Sequence, residues 1–170
     1  MIPNFLIPFF RTNHAGETGA VFIYKGILKL SKDKDIISFS KRHLITEADH
    51  LRTIERLLPK KYHSKLINLW KVMGFITGYI PSLMGKNFIY ATIFAVESFV
   101  ERHYQEQIKI LSDKKEYKEL TNLIKNLMHD EVDHKEEALE KIEHFNIAHR
   151  IWGKLVEFGS ILAVKISKVI

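Results

Sequence analysis

An all-α four-helix bundle, with a long crossover segment and additional peripheral helices, is the architecture this sequence predicts. Two observations carry the expectation. Apolar residues recur at steps of three and four through most of the chain, the period of a helix with one buried face. Within those helices one pattern occurs twice: a lone glutamate, then Glu-x-x-His thirty to thirty-four residues later, as Glu17 with Glu47 and His50, and again as Glu97 with Glu131 and His134. The copies are offset by 80 residues at the lone glutamate and 84 at the pair, the mark of a duplicated helical hairpin.

The first helix is expected to be capped by Thr12 or Asn13 and to run to about Ser31, with Ala20, Val21, Ile23, Tyr24, Ile27 and Leu28 on its buried side. Glu17 lies one turn inside it, and His14 shares its face. A second helix spans about Ile36 to Leu58 and stops at Pro59. Its stripe Ile36, Phe39, His43, Glu47, His50, Ile54 and Leu57 puts Glu47 and His50 where apolar residues would otherwise sit. Residues 60–85 form the link, whose uncharged run from Val72 to Gly85 is interrupted by Gly74, Gly78 and Pro81. It is too short and broken to span a bilayer and reads as a buried crossover or an interfacial segment, with Trp70 and Tyr79 suited to an interface; an ordinary crossover helix capping the bundle is the equal alternative.

The next helix covers about Lys86 to Leu111 and carries Glu97, with Glu101 one turn on. Tyr24 and Tyr104 each follow a lone glutamate by seven residues and are read as core filling, with a hydrogen bond to a ligand as the alternative. The last bundle helix, about Lys115 to Phe145, bears Glu131 and His134, and Asp130 stands at a spacing suited to orienting His134. A terminal helix, about Ala148 to Lys168, has a broad apolar face that either docks on the bundle or lies on a membrane.

Composition narrows the chemistry. The chain, residues 1–170, is the size of one domain with a real core. It has no cysteine, which excludes disulfides, thiolate metal sites, iron–sulfur clusters and cysteine nucleophiles. The net charge of +6 is matched by residues 56–96, where Arg56, Lys60, Lys61, Lys65, Lys71 and Lys86 meet no acid. A basic patch tied to an apolar stretch points to an anionic membrane surface rather than nucleic acid, whose groove-reading motifs are missing. A solvated lysine-rich face is the equal alternative. The opening M-I-P-N-F-L-I-P-F-F-R lacks a basic n-region, and no export signal is expected.

The lone glutamates are the informative residues. Glu17 is the only acid in the first 32 residues, and Glu97 the only charge from Phe88 to Val100. A buried carboxylate costs several kcal/mol unless it is paired, and the stretch around Glu97 holds no lysine or arginine to pair with it. Residues three apart on a helix share a face, so each Glu-x-x-His offers a carboxylate and an imidazole to one point. With one further carboxylate from each of two helices, this gives the four-Glu, two-His set of a di-metal site inside a bundle. Oxygen and nitrogen ligands suit iron or manganese, with zinc also compatible. Two ferrous ions would neutralise four carboxylates and can give two electrons to oxygen, which supports hydroxylation and also plain ferroxidase activity.

The motifs N-H-A-G-E-T-G-A (Asn13 to Ala20), E-A-D-H-L (Glu47 to Leu51), A-V-E (Ala95 to Glu97) with His103, Tyr104 and Gln107, and D-E-V-D-H (Asp130 to His134) resemble the demethoxyubiquinone hydroxylases of ubiquinone biosynthesis, across nearly the whole chain. The resemblance implies a ferritin-like four-helix bundle and a di-iron monooxygenase. Its substrate would be a polyprenylated benzoquinone, hydroxylated with O2 and electrons traceable to NADH. It implies two Fe ions held by Glu17, Glu47, His50, Glu97, Glu131 and His134, with Glu47 and Glu131 bridging. His103 and Tyr104 match positions associated with the quinone and electron transfer. Also implied are peripheral attachment to the cytoplasmic face of a bacterial membrane or to the mitochondrial inner membrane, and partner proteins of the same pathway. Ser98 stands where the family usually has Glu, and Thr18 where it has Tyr, which leaves the six ligands intact. A ferritin-like ferroxidase and a non-enzymatic membrane-surface adaptor are the competing readings.

Overall fold

The structure is a computed structural model that describes residues 2–170. Among them are six α-helices: α1 Ile7–Leu30, α2 Lys34–Leu57, α3 Ile67–Met84, α4 Lys86–Leu111, α5 Lys118–Glu140 and α6 Ile147–Ser167. α1 and α2 form one hairpin and α4 and α5 a second, so the bundle is two helical hairpins joined by a long crossover that contains α3. α3 packs on α1 and α4, and α6 packs on α4 and α1, which places both on the side of the bundle away from α2 and α5. The backbones of α1 and α4 approach each other at few points, and the two helices meet through side chains.

The helix ends follow from local chemistry. Asp33 accepts hydrogen bonds from the amides of Asp35 and Ile36 and caps α2. Asn146 and His149 form a reciprocal capping box at the start of α6. Gly85, at φ 112°, takes a left-handed conformation between α3 and α4 that a side chain would resist. Two expectations about helix ends are corrected. α1 begins at Ile7 rather than beside Thr12, with Pro8 in its first turn, where a missing N–H costs nothing. α5 is shorter at both ends than expected, its N-terminal side being a separate 3-10 turn, Lys115–Tyr117. Of the two readings of the run from Val72 to Gly85, the crossover helix is the one found, since Ile67–Met84 is one continuous helix.

The glycines of α3 serve packing rather than breaking. A Cβ on Gly74 or Gly78 would collide with the backbone oxygens of Gly19 or Ile23, and one on Gly26 with that of Phe75, so α1 and α3 meet backbone to backbone. Trp70 is buried, its indole N–H donating to Ser64 Oγ at 2.9 Å, and not at an interface. α6 is tied down by Trp152, which donates to Thr92 Oγ1 at 2.7 Å, and by Arg11, which donates to the Lys168 carbonyl at 3.2 Å.

The core comes in two apolar layers. One gathers Tyr24, Ile27, Phe39, Ile89 and Ile93, and the other Leu6, Phe10, Ile54, Leu111 and Ile124. Between them lies a slab of buried charge.

Candidate metal centre

All six carboxylates and imidazoles singled out in the sequence fall in that slab, each no more than 7% exposed. They form two groups. Glu17, Glu47, His50 and Glu131 bring one ligand atom each within 4.8 Å of one another, and so do Glu47, Glu97, Glu131 and His134. Glu47 and Glu131 belong to both, so the two points share a pair of carboxylates. The helical spacing places them so: α1 and α4 each contribute one glutamate, while α2 and α5 each contribute a Glu-x-x-His that projects from one face.

The contacts cross between hairpins. His50 Nδ1 lies 3.0 Å from Glu131 Oε1 and 3.7 Å from Glu17 Oε2. His134 Nδ1 lies 3.0 Å from Glu47 Oε1 and 3.5 Å from Glu131 Oε2. Tyr104 donates its hydroxyl to Glu17 Oε1. Tyr104 therefore does more than fill core, while Tyr24 reaches His43 instead of a carboxylate, 3.4 Å from its Nδ1.

Electrostatics show what the slab lacks. Burial, reinforced by Glu131, pushes Glu17 and Glu97 well above the usual carboxylate range. Burial also raises Glu47. Glu131 is pushed up by burial but held down overall by the adjacent His134 and His50. Burial lowers both imidazoles, but close contact with Glu131 and the negative charge of the neighbouring glutamates together outweigh it and raise His50 to about 11 and His134 to about 10. Two imidazoliums cannot balance four carboxylates, and among the described residues no lysine or arginine pairs with any of the four. Glu17 Oε2, Glu47 Oε1, Glu131 Oε2 and His134 Nδ1 are buried without a hydrogen-bond partner. An unsatisfied buried polar atom costs about 1–3 kcal/mol. Four such atoms, all facing the two shared points, fit a pair of divalent cations that would leave both imidazoles neutral and the charge balanced.

Other candidates fall elsewhere. His14 faces Glu55 at 3.6 Å and its ring packs on His63 at 4.1 Å, outside both groups. Glu101 is paired with Lys135 at 2.7 Å. Asp130 does orient an imidazole, but that of His50, whose Nε2 it meets at 3.0 Å, and not that of His134. Thr12 and Asn13 are no caps: Thr12 Oγ1 is 2.8 Å from His103 Nε2, and Asn13 and Gln107 exchange amide hydrogen bonds of 2.9 and 3.0 Å. Sequence reasoning missed His43 and Glu137, although His43 was in the buried stripe of α2 one turn before Glu47.

A cavity of about 500 Å³ opens from the slab. Glu17, Glu97, His103 and Tyr104 line its inner end, where α1 and α4 part, and its walls are α3 and α6. Apolar residues that line it, among them Met73, Ile76, Leu155, Phe158 and Leu162, also reach solvent.

Residues 4–167 match the family model described as "Ubiquinone biosynthesis protein COQ7". The chain belongs to the COQ7 family. Among its relatives is the mitochondrial NADPH-dependent 3-demethoxyubiquinone 3-hydroxylase of Homo sapiens, 30% identical over 162 residues, which covers 93% of this chain and 75% of that protein. The Dictyostelium discoideum protein of the same name is 30% identical over 92% of this chain and 74% of its own length. The 3-demethoxyubiquinol 3-hydroxylase of Rhodospirillum rubrum is 27% identical over 94% of this chain and 76% of its own length. The match to COQ7 proteins agrees with the family expected from the motifs. The eukaryotic COQ7 relatives are named for NADPH, where the resemblance implied electrons traceable to NADH.

Proposed function

We propose that the chain is a monooxygenase that hydroxylates the ring of a polyprenylated demethoxyubiquinone intermediate in ubiquinone biosynthesis. One observation carries this reading: the buried Glu/His slab opens into a cavity whose walls are predominantly apolar. Glu17, Glu47, His50 and Glu131 would hold one iron ion and Glu47, Glu97, Glu131 and His134 the other. Such a pair, once reduced, supplies two electrons to dioxygen beside the ring.

The chain's own residues do the rest. Tyr104 holds Glu17 by its hydroxyl, fixing the carboxylate nearest the cavity. The Thr12 hydroxyl donates its proton to the Phe9 carbonyl at 2.6 Å, so His103 Nε2 must be the donor in their 2.8 Å contact. That leaves His103 Nδ1 as an acceptor for a quinol hydroxyl. Burial and Lys168 lower His103 to about 4, so the ring is neutral at working pH. The apolar walls exclude water from the reaction and accommodate the isoprenoid tail.

The tail must come from a bilayer. No helix among the described residues is long and apolar enough to cross a membrane, and the reading is a peripheral enzyme. α3 and α6 would rest on the surface of a bacterial membrane's cytoplasmic face or of the mitochondrial inner membrane, as the mitochondrial names of eukaryotic relatives suggest. Reducing equivalents would come from a nicotinamide nucleotide, and other ubiquinone-biosynthesis proteins would be partners.

The test is anaerobic reduction with a demethoxyubiquinone analogue followed by isotopically labelled dioxygen. Mass analysis is expected to find quinone carrying one labelled oxygen atom. Oxidation of many ferrous ions per chain with the quinone unchanged would instead mark an iron-handling protein.

A further inference from the structure

The two imidazoles of the slab are supported unequally. His50 is held from behind by a carboxylate, Asp130 Oδ2, at 3.0 Å from Nε2. Among the described residues, none hydrogen-bonds the corresponding nitrogen of His134. Its ring instead packs against that of His43, centroid to centroid 4.0 Å at 44°.

His43 is itself locked. It is 3% exposed and flanked by Phe39 at 4.1 Å. Its Nε2 meets Glu137 Oε2 at 2.8 Å, and its Nδ1 faces the Tyr24 hydroxyl at 3.4 Å. A carboxylate only accepts, so Nε2 carries the proton and Nδ1 accepts from Tyr24. Glu137 is fixed in turn by Arg42 at 2.5 Å. A chain of Arg42, Glu137 and His43 thus runs from solvent to the face of His134. A leucine would fill the same core volume without the cost of burying a polar ring.

We propose that His43 and Glu137 are a positioning pair for His134, and that the two metal positions therefore differ in affinity. The position at His50, whose imidazole is backed by a direct carboxylate bond, fills first. The position at His134, held by packing against a carboxylate-anchored ring, fills second. The inference rests on the six-ligand reading above.

Stepwise titration of metal-free protein with cobalt(II), read by its ligand-field bands, tests both. Wild-type protein is expected to bind in two unequal steps. Glu137→Gln and His43→Leu should weaken the looser step about tenfold and leave the tighter one in place, since outer partners of metal ligands govern affinity on that scale. Asp130→Asn should weaken the tighter step instead. Glu137 is partly exposed, so its variant keeps the test open if His43→Leu does not fold. Two equal steps, or variants that shift both steps alike, would overturn the inference while leaving the ligand set standing. No cobalt in the slab of the wild type would overturn both.

Discussion

At the scale of single residues, the hydroxyl of Tyr104 and the ring of His103 make separable predictions. Tyr104→Phe leaves the buried Glu17 Oε1 without its donor, and a buried polar atom left unsatisfied costs about 1–3 kcal/mol. Urea unfolding of the metal-free variant should show that loss, and an unchanged midpoint would mean that the bond does not form. His103 is lowered from 6.5 to about 4 by burial and Lys168. Between those values the unfolded chain binds a proton that the folded one refuses, so stability falls as pH drops from 6.5 to 4. His43, also lowered to about 4, chiefly by burial, adds to the same fall. His103→Gln should therefore flatten the decline of the urea midpoint over this window; an identical decline would show that His103 protonates freely in the fold. The six slab residues were readable in the sequence because their spacing is local to a helix turn. Which partner meets which of them was not: Asp130 stood out by spacing but for His134, and it meets His50, 80 residues away, while Tyr104 and Glu17 are 87 apart. Nothing in one helix announces what another will press against it.

At the scale of elements, the seam between α1 and α3 is the sharpest test. Gly78→Ala places a methyl into the Ile23 carbonyl of α1, backbone against backbone, and should cost about 3 kcal/mol or more, beyond ordinary overpacking. It should also move α3, one wall of the cavity. A Cβ at Gly16, on the same helix as Ile23, meets nothing within 4 Å, so Gly16→Ala should gain up to about 1 kcal/mol of helix stability. Thermal unfolding of the two variants compares these directly, and equal effects would contradict the close packing. The same seam explains where the sequence misled. Gly74 and Gly78 look like breaks to a reader of one strand of text, because the backbone that needs their missing side chains lies some fifty residues away. The start of α1 was obscured in the same way: Thr12 and Asn13 are typical caps by type, yet both are spent on α4. By contrast α4, bounded by Gly85 at one end and Ser112 at the other, matched its expected span, and α2, expected from about Ile36, starts two residues earlier at Lys34, behind its cap Asp33.

At the scale of the whole molecule, the duplicated hairpin explains the fold and the crossover explains the cavity. Two hairpins bring four glutamates and two histidines to one slab, and α3 of the crossover and α6, each packed on α1 and α4, wall an apolar passage from the slab to the surface. The basic segment lies at its rim: the Lys65 amide donates to the Ile170 carbonyl at 3.1 Å, where the start of α3 meets the end of α6. Lys60, Lys61 and Lys65 are exposed. Each lysine near an anionic leaflet contributes about 1 kcal/mol, so changing all three to Glu should weaken binding to anionic liposomes at low salt by at least about tenfold. Unchanged binding would remove this rim from membrane attachment. If the slab is a cage for two metal ions, the metal content of the purified chain and of Glu131→Gln must differ. Glu131 is shared by both groups. The wild type should carry about two iron ions per chain and the variant at most a small fraction of that, with its helical fold retained. Equal metal content in both, or none in either after iron loading, would contradict it.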